Sequence, residues 1–321
     1  MVIARRLALL GTFSAAVTLT IAQQAPRAQV ESAQNACAPS FHEDSIFVNG
    51  FIFKTFQQLT PTQMYSCIEI VQSGRVVFRR TEDGGEFILG QKAQPEFGIP
   101  GITQGTDVTG RGHPDMIVSY YSGGGHCCTS VLLFELEPNL SLLSKLEVGD
   151  SDISHFERDL PHAGYRFITW DEPFAYWHTS FAESPMPKLI LKPVSDEKVG
   201  LSFKLDLKEM RRKPPSDREW TNNYLAHAKS AFAPHGPVDG EYPSSDLWKP
   251  MLDWIYGGQA DWAWKLVDAA WPTDRPGKDQ FLKEFCGQLA QSPYWLELRL
   301  QVGRPPASCA TGITDSDTKQ H

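Results

Sequence analysis

An acidic, glycine-punctuated loop that runs straight into an unbroken apolar strand constrains this chain more than any other feature. The loop is Asp107-Val-Thr-Gly-Arg-Gly-His-Pro-Asp115, and Met116-Ile-Val-Ser-Tyr-Tyr121 and then Gly123-Gly-Gly-His-Cys-Cys128 follow it. An apolar run that does not alternate suits a strand covered on both faces. The fold must therefore supply a layer on each side of it. Carboxylate and hydroxyl groups a few residues apart, with glycines between, can converge on a hard cation. The same aspartates can instead bond backbone amides and shape a turn.

The flanking sequence supports a β-rich region from about 44 to 210. Ile46-Phe-Val48 and Phe51-Ile-Phe53 flank Asn49-Gly50, a dipeptide suited to a two-residue hairpin turn. Cys67 to Val71 and Arg75 to Phe78 flank Gln-Ser-Gly in the same way. Further strands are expected at 116–121, 130–136, 142–148, 165–170, 188–191 and 201–207. Short strands separated by turn signals favour antiparallel sheet.

After Arg211-Arg-Lys-Pro-Pro215 the pattern becomes helical. Ser216 can cap a helix running to about Phe232, and Ser244 or Ser245 can cap another that Gly257-Gly258 ends. Two more are expected, at about 260–270 and 278–290, the second with Phe281, Phe285 and Leu289 on one stripe. The expected fold class is thus α+β: an antiparallel, β-rich domain at 44–210 followed by a small α-helical unit at 216–300. Residues 301–321 read as a flexible tail, and 23–43 as a flexible spacer.

The first 22 residues carry the pattern of a secretory signal, with Arg5-Arg6, an apolar stretch from Leu7 to about Ala22, and small residues at Thr20 and Ala22. Export to the periplasm or outside the cell is expected, with no stable membrane span after signal removal. Loss of Arg5 and Arg6 moves the formal charge from −8 to about −10, which argues against nucleic acid as a partner. The six cysteines, Cys37, Cys67, Cys127, Cys128, Cys286 and Cys309, are read as disulfide candidates in an oxidising compartment. A zinc or copper site at His126-Cys-Cys128 would need a turn to bring both thiolates together.

The Asp107 loop and its strand resemble the FG-GAP or VCBS type of β-propeller repeat, whose blades carry a short acidic calcium loop before an apolar strand. The resemblance covers about residues 100–210 and implies a blade-like arrangement, as a partial propeller or a sandwich. It assigns Asp107, Thr109 and Asp115 as side-chain ligands for calcium, with the His113 carbonyl alongside. Arg111 departs from the pattern because it sets a positive charge where a ligand belongs. A fainter copy aligns Phe167-Ile168 with Met116-Ile117, and its loop, Arg158 to Arg166, lacks the ligand set.

One more stretch is dense in aromatic and polar groups: Asp171-Glu-Pro-Phe-Ala-Tyr-Trp-His-Thr-Ser-Phe-Ala-Glu-Ser-Pro185. Tyr176 and Trp177 could stack against a sugar or peptide while His178 hydrogen-bonds it. Asp171, Glu172 and Glu183 could instead serve glycoside hydrolysis, which needs two carboxylates facing each other across a cleft. No Walker loop, dinucleotide-binding glycine pattern, His-Glu-x-x-His or Gly-x-Ser-x-Gly is present. The expected role is noncatalytic, binding or scaffolding a protein or glycan, with a hydrolase acting on glycan or cell-wall material as the alternative.

Overall fold

The computed structural model describes residues 37, 42–59, 63–125, 127–150, 153–159, 164–196, 200–233 and 242–317. The stretch read as a signal, most of that read as a spacer and the last residues of the tail lie outside the described residues. Three consecutive four-stranded antiparallel meanders come first and helices follow, so the α+β class with antiparallel sheets is as expected.

The first sheet holds β1 (His42–Val48), β2 (Phe51–Leu59), β3 (Met64–Gln72) and β4 (Arg75–Asp83). Asn49 and Gly50 both take positive φ between β1 and β2, 46° and 82°, the geometry a two-residue hairpin turn demands. The second sheet holds β5 (Glu86–Leu89), β6 (Asp115–Gly124), β7 (Cys127–Glu135) and β8 (Ser141–Gly149). The third holds β9 (His155–Arg158), β10 (Tyr165–Trp170), β11 (Lys188–Asp196) and β12 (Gly200–Leu205). Met116 and Phe167 both lie near the start of the second strand of their meanders, as its second and third residue respectively.

The second sheet is covered on both faces. Met116, Val118, Leu132 and Phe134 pack toward Phe53, Ile68 and Ile70 of the first sheet. Ile117, Val131 and Leu133, one residue out of phase, join Phe156, Phe167, Leu189 and Leu191 of the third. Two-residue alternation along β6 and β7 sends successive side chains to opposite cores. That is why the Met116 run shows no polar face.

The helices share one buried cluster with the third sheet. Helix α1 begins at Asp217–Glu219, passes through a π-helical turn at Trp220–Leu225 and ends with Ala226–Ser230. Ser216 and Glu219 form a reciprocal capping box at its start. Helices α2 (Ser245–Tyr256), α3 (Ala260–Ala270) and α4 (Lys278–Leu289) follow at the places their apolar stripes indicate. A short α5 (Trp295–Leu298) comes next. Glu297 there accepts the Leu205 amide at 2.6 Å, tying helix to sheet.

One expectation fails at the C-terminus. The tail read as flexible forms helix α6 (Ala307–Asp317), held to α4 by the Cys286–Cys309 disulfide. Its sequence, Ala-Ser-Cys-Ala-Thr-Gly-Ile, has no broad apolar stripe, because the covalent link does the work a stripe would do. Cys37 is bonded to Cys67, and Cys128 is also disulfide-bonded. His126 and the Cys127 side chain lie outside the described residues.

Phe134 has no exposed surface and packs edge-on against both Phe53 and Phe78, at ring-centre distances of 5.8 Å and 5.0 Å. Phe134→Ala removes the filling between the first two sheets and is expected to cost about 3–5 kcal/mol in urea-induced unfolding. A loss below about 1 kcal/mol would show that the two sheets do not depend on this contact.

Candidate functional site

The second and third sheets part at one end and leave a cleft of about 1140 Å³. Its floor is apolar, formed by Ile117, Val131, Val148 and Phe167. Its rim carries Tyr121, Trp170 and Phe181, with Ser119, Thr129, Asp150, His155, Lys92 and Lys249 among the polar groups. The His155 Nδ1 lies 2.8 Å from the Ile153 carbonyl. A carbonyl only accepts, so Nδ1 carries the hydrogen and the neutral ring keeps its lone pair on Nε2. Strands β5 and β9 form two of the cleft walls, and both were absent from the strands read in the sequence. Four-residue edge strands are too short to show a period.

The loop from Asp171 to Pro187 forms part of the rim but spends most of its chemistry on its own packing. Trp177 meets Phe174 at 5.1 Å, Trp248 at 5.1 Å and Phe281 at 6.0 Å, so it anchors the loop into the helical core. His178 stacks on Tyr242 at 3.9 Å, with Glu284 close by. Tyr176 is the exposed member, at 57 %, and rests on Phe181 at 5.3 Å. Tyr176 and His178 both sit at positive φ, 59° and 50°. The two residues flank the inward-packed Trp177, and such a conformation costs about 1–3 kcal/mol each.

The three carboxylates of this loop serve separate neighbours. Asp171 is buried, and its Oδ2 accepts the Tyr256 hydroxyl at 2.6 Å and the Ser292 hydroxyl at 2.5 Å. Burial raises its pKa against the pull of those donors. Burial, followed by the field of Asp171, pushes Tyr294 up to about 12 and Tyr256 well above its ordinary value. Glu172 accepts the Asp150 amide at 2.9 Å, and burial raises its pKa too. Glu183 is exposed and accepts from Thr179 at 3.0 Å.

The structure does bring Asp107, Thr109 and Asp115 together, as a turn closed by its own amides. Asp107 accepts the amides of Arg111 at 3.0 Å and Gly112 at 2.8 Å. Asp115 Oδ2 accepts the amides of Val108 and Thr109, both at 2.9 Å, and the Thr109 hydroxyl at 3.0 Å. Asp115 Oδ1 is buried without a hydrogen-bond partner. The Arg111 guanidinium instead reaches to 3.6 Å from Glu135, the cross-strand partner of Asp115. Among the described residues, no three His, Cys, Asp or Glu side chains gather as a metal-ligand set. The degenerate second loop docks here as well. Tyr165 donates its amide to the Val108 carbonyl at 2.8 Å, and a Cβ on Gly164 would meet the Gly110 backbone at 2.9 Å.

Asp171→Ala leaves two buried hydroxyls without an acceptor and is expected to cost about 2–5 kcal/mol by chemical denaturation, with Asp171→Asn milder. Equal stability of the parent and the alanine variant would remove Asp171 as the link between sheet and helices. Burial pushes Asp115 up to about 6 from 3.8, so the native state holds a proton that the unfolded chain has released. Stability from this group is therefore present below the lower value and lost as pH rises through the upper one. In Asp115→Asn the fall in unfolding free energy between pH 4 and 6 should be shallower than in the parent, by on the order of 1 kcal/mol. Parallel pH profiles would contradict the assignment.

No protein-family model matches the chain, and no solved structure matches it. A protein of Synechocystis sp. described as a probable thylakoid lumen protein is 26% identical to it over 163 residues. The match covers 47% of this chain and 46% of that protein, so the chain spans about half the length of the curated relative it matches.

Proposed function

We propose that this chain is an exported, noncatalytic binding protein that holds a segment of protein or glycan in the cleft between the second and third sheets. The cleft itself carries the reading. Its volume of about 1140 Å³ with an apolar floor suits a ligand of several residues or sugar units. The aromatic rim of Tyr121, Trp170 and Phe181 adds large contact surfaces, and the polar groups beside it include both signs of charge. The carboxylates that glycoside hydrolysis would call on are occupied by Tyr256, Ser292, Asp150 and Thr179, which favours binding over hydrolysis.

Three observations support export. The chain begins with a signal-like stretch, its described cysteines are in disulfides, and its relative in Synechocystis bears the name of a lumen protein. We read the run of four-stranded antiparallel meanders as blade-like, after the FG-GAP and VCBS resemblance of the Asp107 segment. In this reading the Asp107 loop shapes the junction of the second and third sheets.

Thermal melts with capped hexapeptides or chitohexaose at millimolar concentration test the reading. A ligand that binds only the native state raises the melting temperature. At least one of the two classes should do so, and Ser119→Trp, which fills the cleft, should abolish the shift. If neither class moves the melting temperature, or if the shift survives Ser119→Trp, the cleft is not the binding site.

A further inference from the structure

One wall of the cleft is a sheet edge that already carries a substitute for a missing strand. β9 is the outermost strand of the third sheet. At Phe156 both outward backbone groups are taken by a single side chain. The Phe156 amide donates to Gln91 Oε1 at 2.7 Å, and the Phe156 carbonyl accepts from Gln91 Nε2 at 3.0 Å. A residue on a neighbouring antiparallel strand exchanges the same pair of bonds. A carboxamide can imitate it because it holds a donor and an acceptor in one plane, as a peptide unit does.

The register shows how far this edge extends. His155 and Glu157 lie opposite Ile168 and Arg166 of β10. Ladder bonds alternate along an antiparallel strand, so Arg158 presents its N–H and C=O to the same side as Phe156. The Gln91 Nε2 also donates to the Pro100 carbonyl at 3.0 Å, which holds the side chain across the gap between the two sheets.

Resting on the cleft as the binding site, we propose that its occupant is an extended peptide segment that pairs with β9 as an added strand and takes the place of the Gln91 carboxamide. Side chains of such a segment alternate in direction. One set would lie on Ile117, Val131 and Phe167, and the other would face the rim at Trp170 and Phe181. Main-chain bonds supply the affinity in this mode and the pockets for alternate side chains supply the selection. Lys92 and Lys249 with Asp44, Glu86 and Asp150 put both charges at the cleft, so no strongly acidic or basic sequence is selected. A glycan presents hydroxyls but no repeating pair of N–H and C=O, and the Phe156 edge offers it no matched partner.

The test titrates the full chain with capped hexapeptides alternating valine or leucine with threonine, and in parallel with chitohexaose, following tryptophan fluorescence. Each peptide that binds is then N-methylated at one residue at a time. Methylation at alternate residues should weaken binding about tenfold and at the intervening residues far less, since only alternate amides face β9. Gln91→Ala should tighten peptide binding about tenfold by removing the competitor. Chitohexaose binding without peptide binding overturns the added strand and leaves the cleft as a binding site. Peptide binding with no alternation on N-methylation overturns the added strand too, even if Gln91→Ala is too unstable to measure. Binding of neither probe removes both readings.

Discussion

Everything in this protein is arranged around a sheet that gives up both of its faces. Along β6 and β7, Met116, Val118, Leu132 and Phe134 point one way, and Ile117, Val131 and Leu133 point the other. Neither face can be left to water, so the first meander must lie on one side and the third on the other. The register is fixed by the same demand. A slip of one residue would exchange the two sets and mismatch both interfaces at once. Two flanking sheets pressed on one twisted sheet cannot follow it along its full width. The cleft lies where the third sheet departs from the second.

Within that frame, Asp171 joins the β and α parts. It sits just past β10, yet its carboxylate receives hydroxyls from Tyr256 at the end of α2 and Ser292 after α4. A buried carboxylate with two hydroxyl donors is satisfied only when both helices are docked. Trp177, six residues on, adds an apolar anchor among Trp248, Phe281 and Phe285. The rim of the cleft is thus fastened from behind by polar and aromatic contacts.

Much of the fold was legible in the sequence because turn chemistry and strand length are local. Asn49-Gly50 fixes its hairpin by backbone preference alone, and Met116 to Tyr121 declares two covered faces by having no polar alternation. Ser216 and Gly257-Gly258 mark helix ends for equally local reasons. Helix α6 was not legible, since a disulfide to Cys286 replaces the apolar stripe that would have announced it. The aromatic loop was legible as special, but Trp177 packs inward and only Tyr176 stays well exposed. The cleft was not legible at all. Its walls come from Glu86-Phe-Ile-Leu89 and His155-Phe-Glu-Arg158, which are too short to show a period and far apart in the chain. The Asp107 loop shows the limit of a local motif. The same carboxylates that would surround an ion can close a turn on their own amides, and spacing does not distinguish the two.

The bonds between Gln91 and Phe156 also bear on how copies of this chain behave toward one another. An open sheet edge invites pairing with the edge of another molecule, which leads to strand exchange and aggregation. At Phe156 of β9 that invitation is declined by one uncharged side chain, Gln91 just past β5, without a proline, a bulge or a lysine in the strand. Such a guard preserves the backbone geometry of a true strand edge at Phe156 while filling its hydrogen bonds, without deforming the strand.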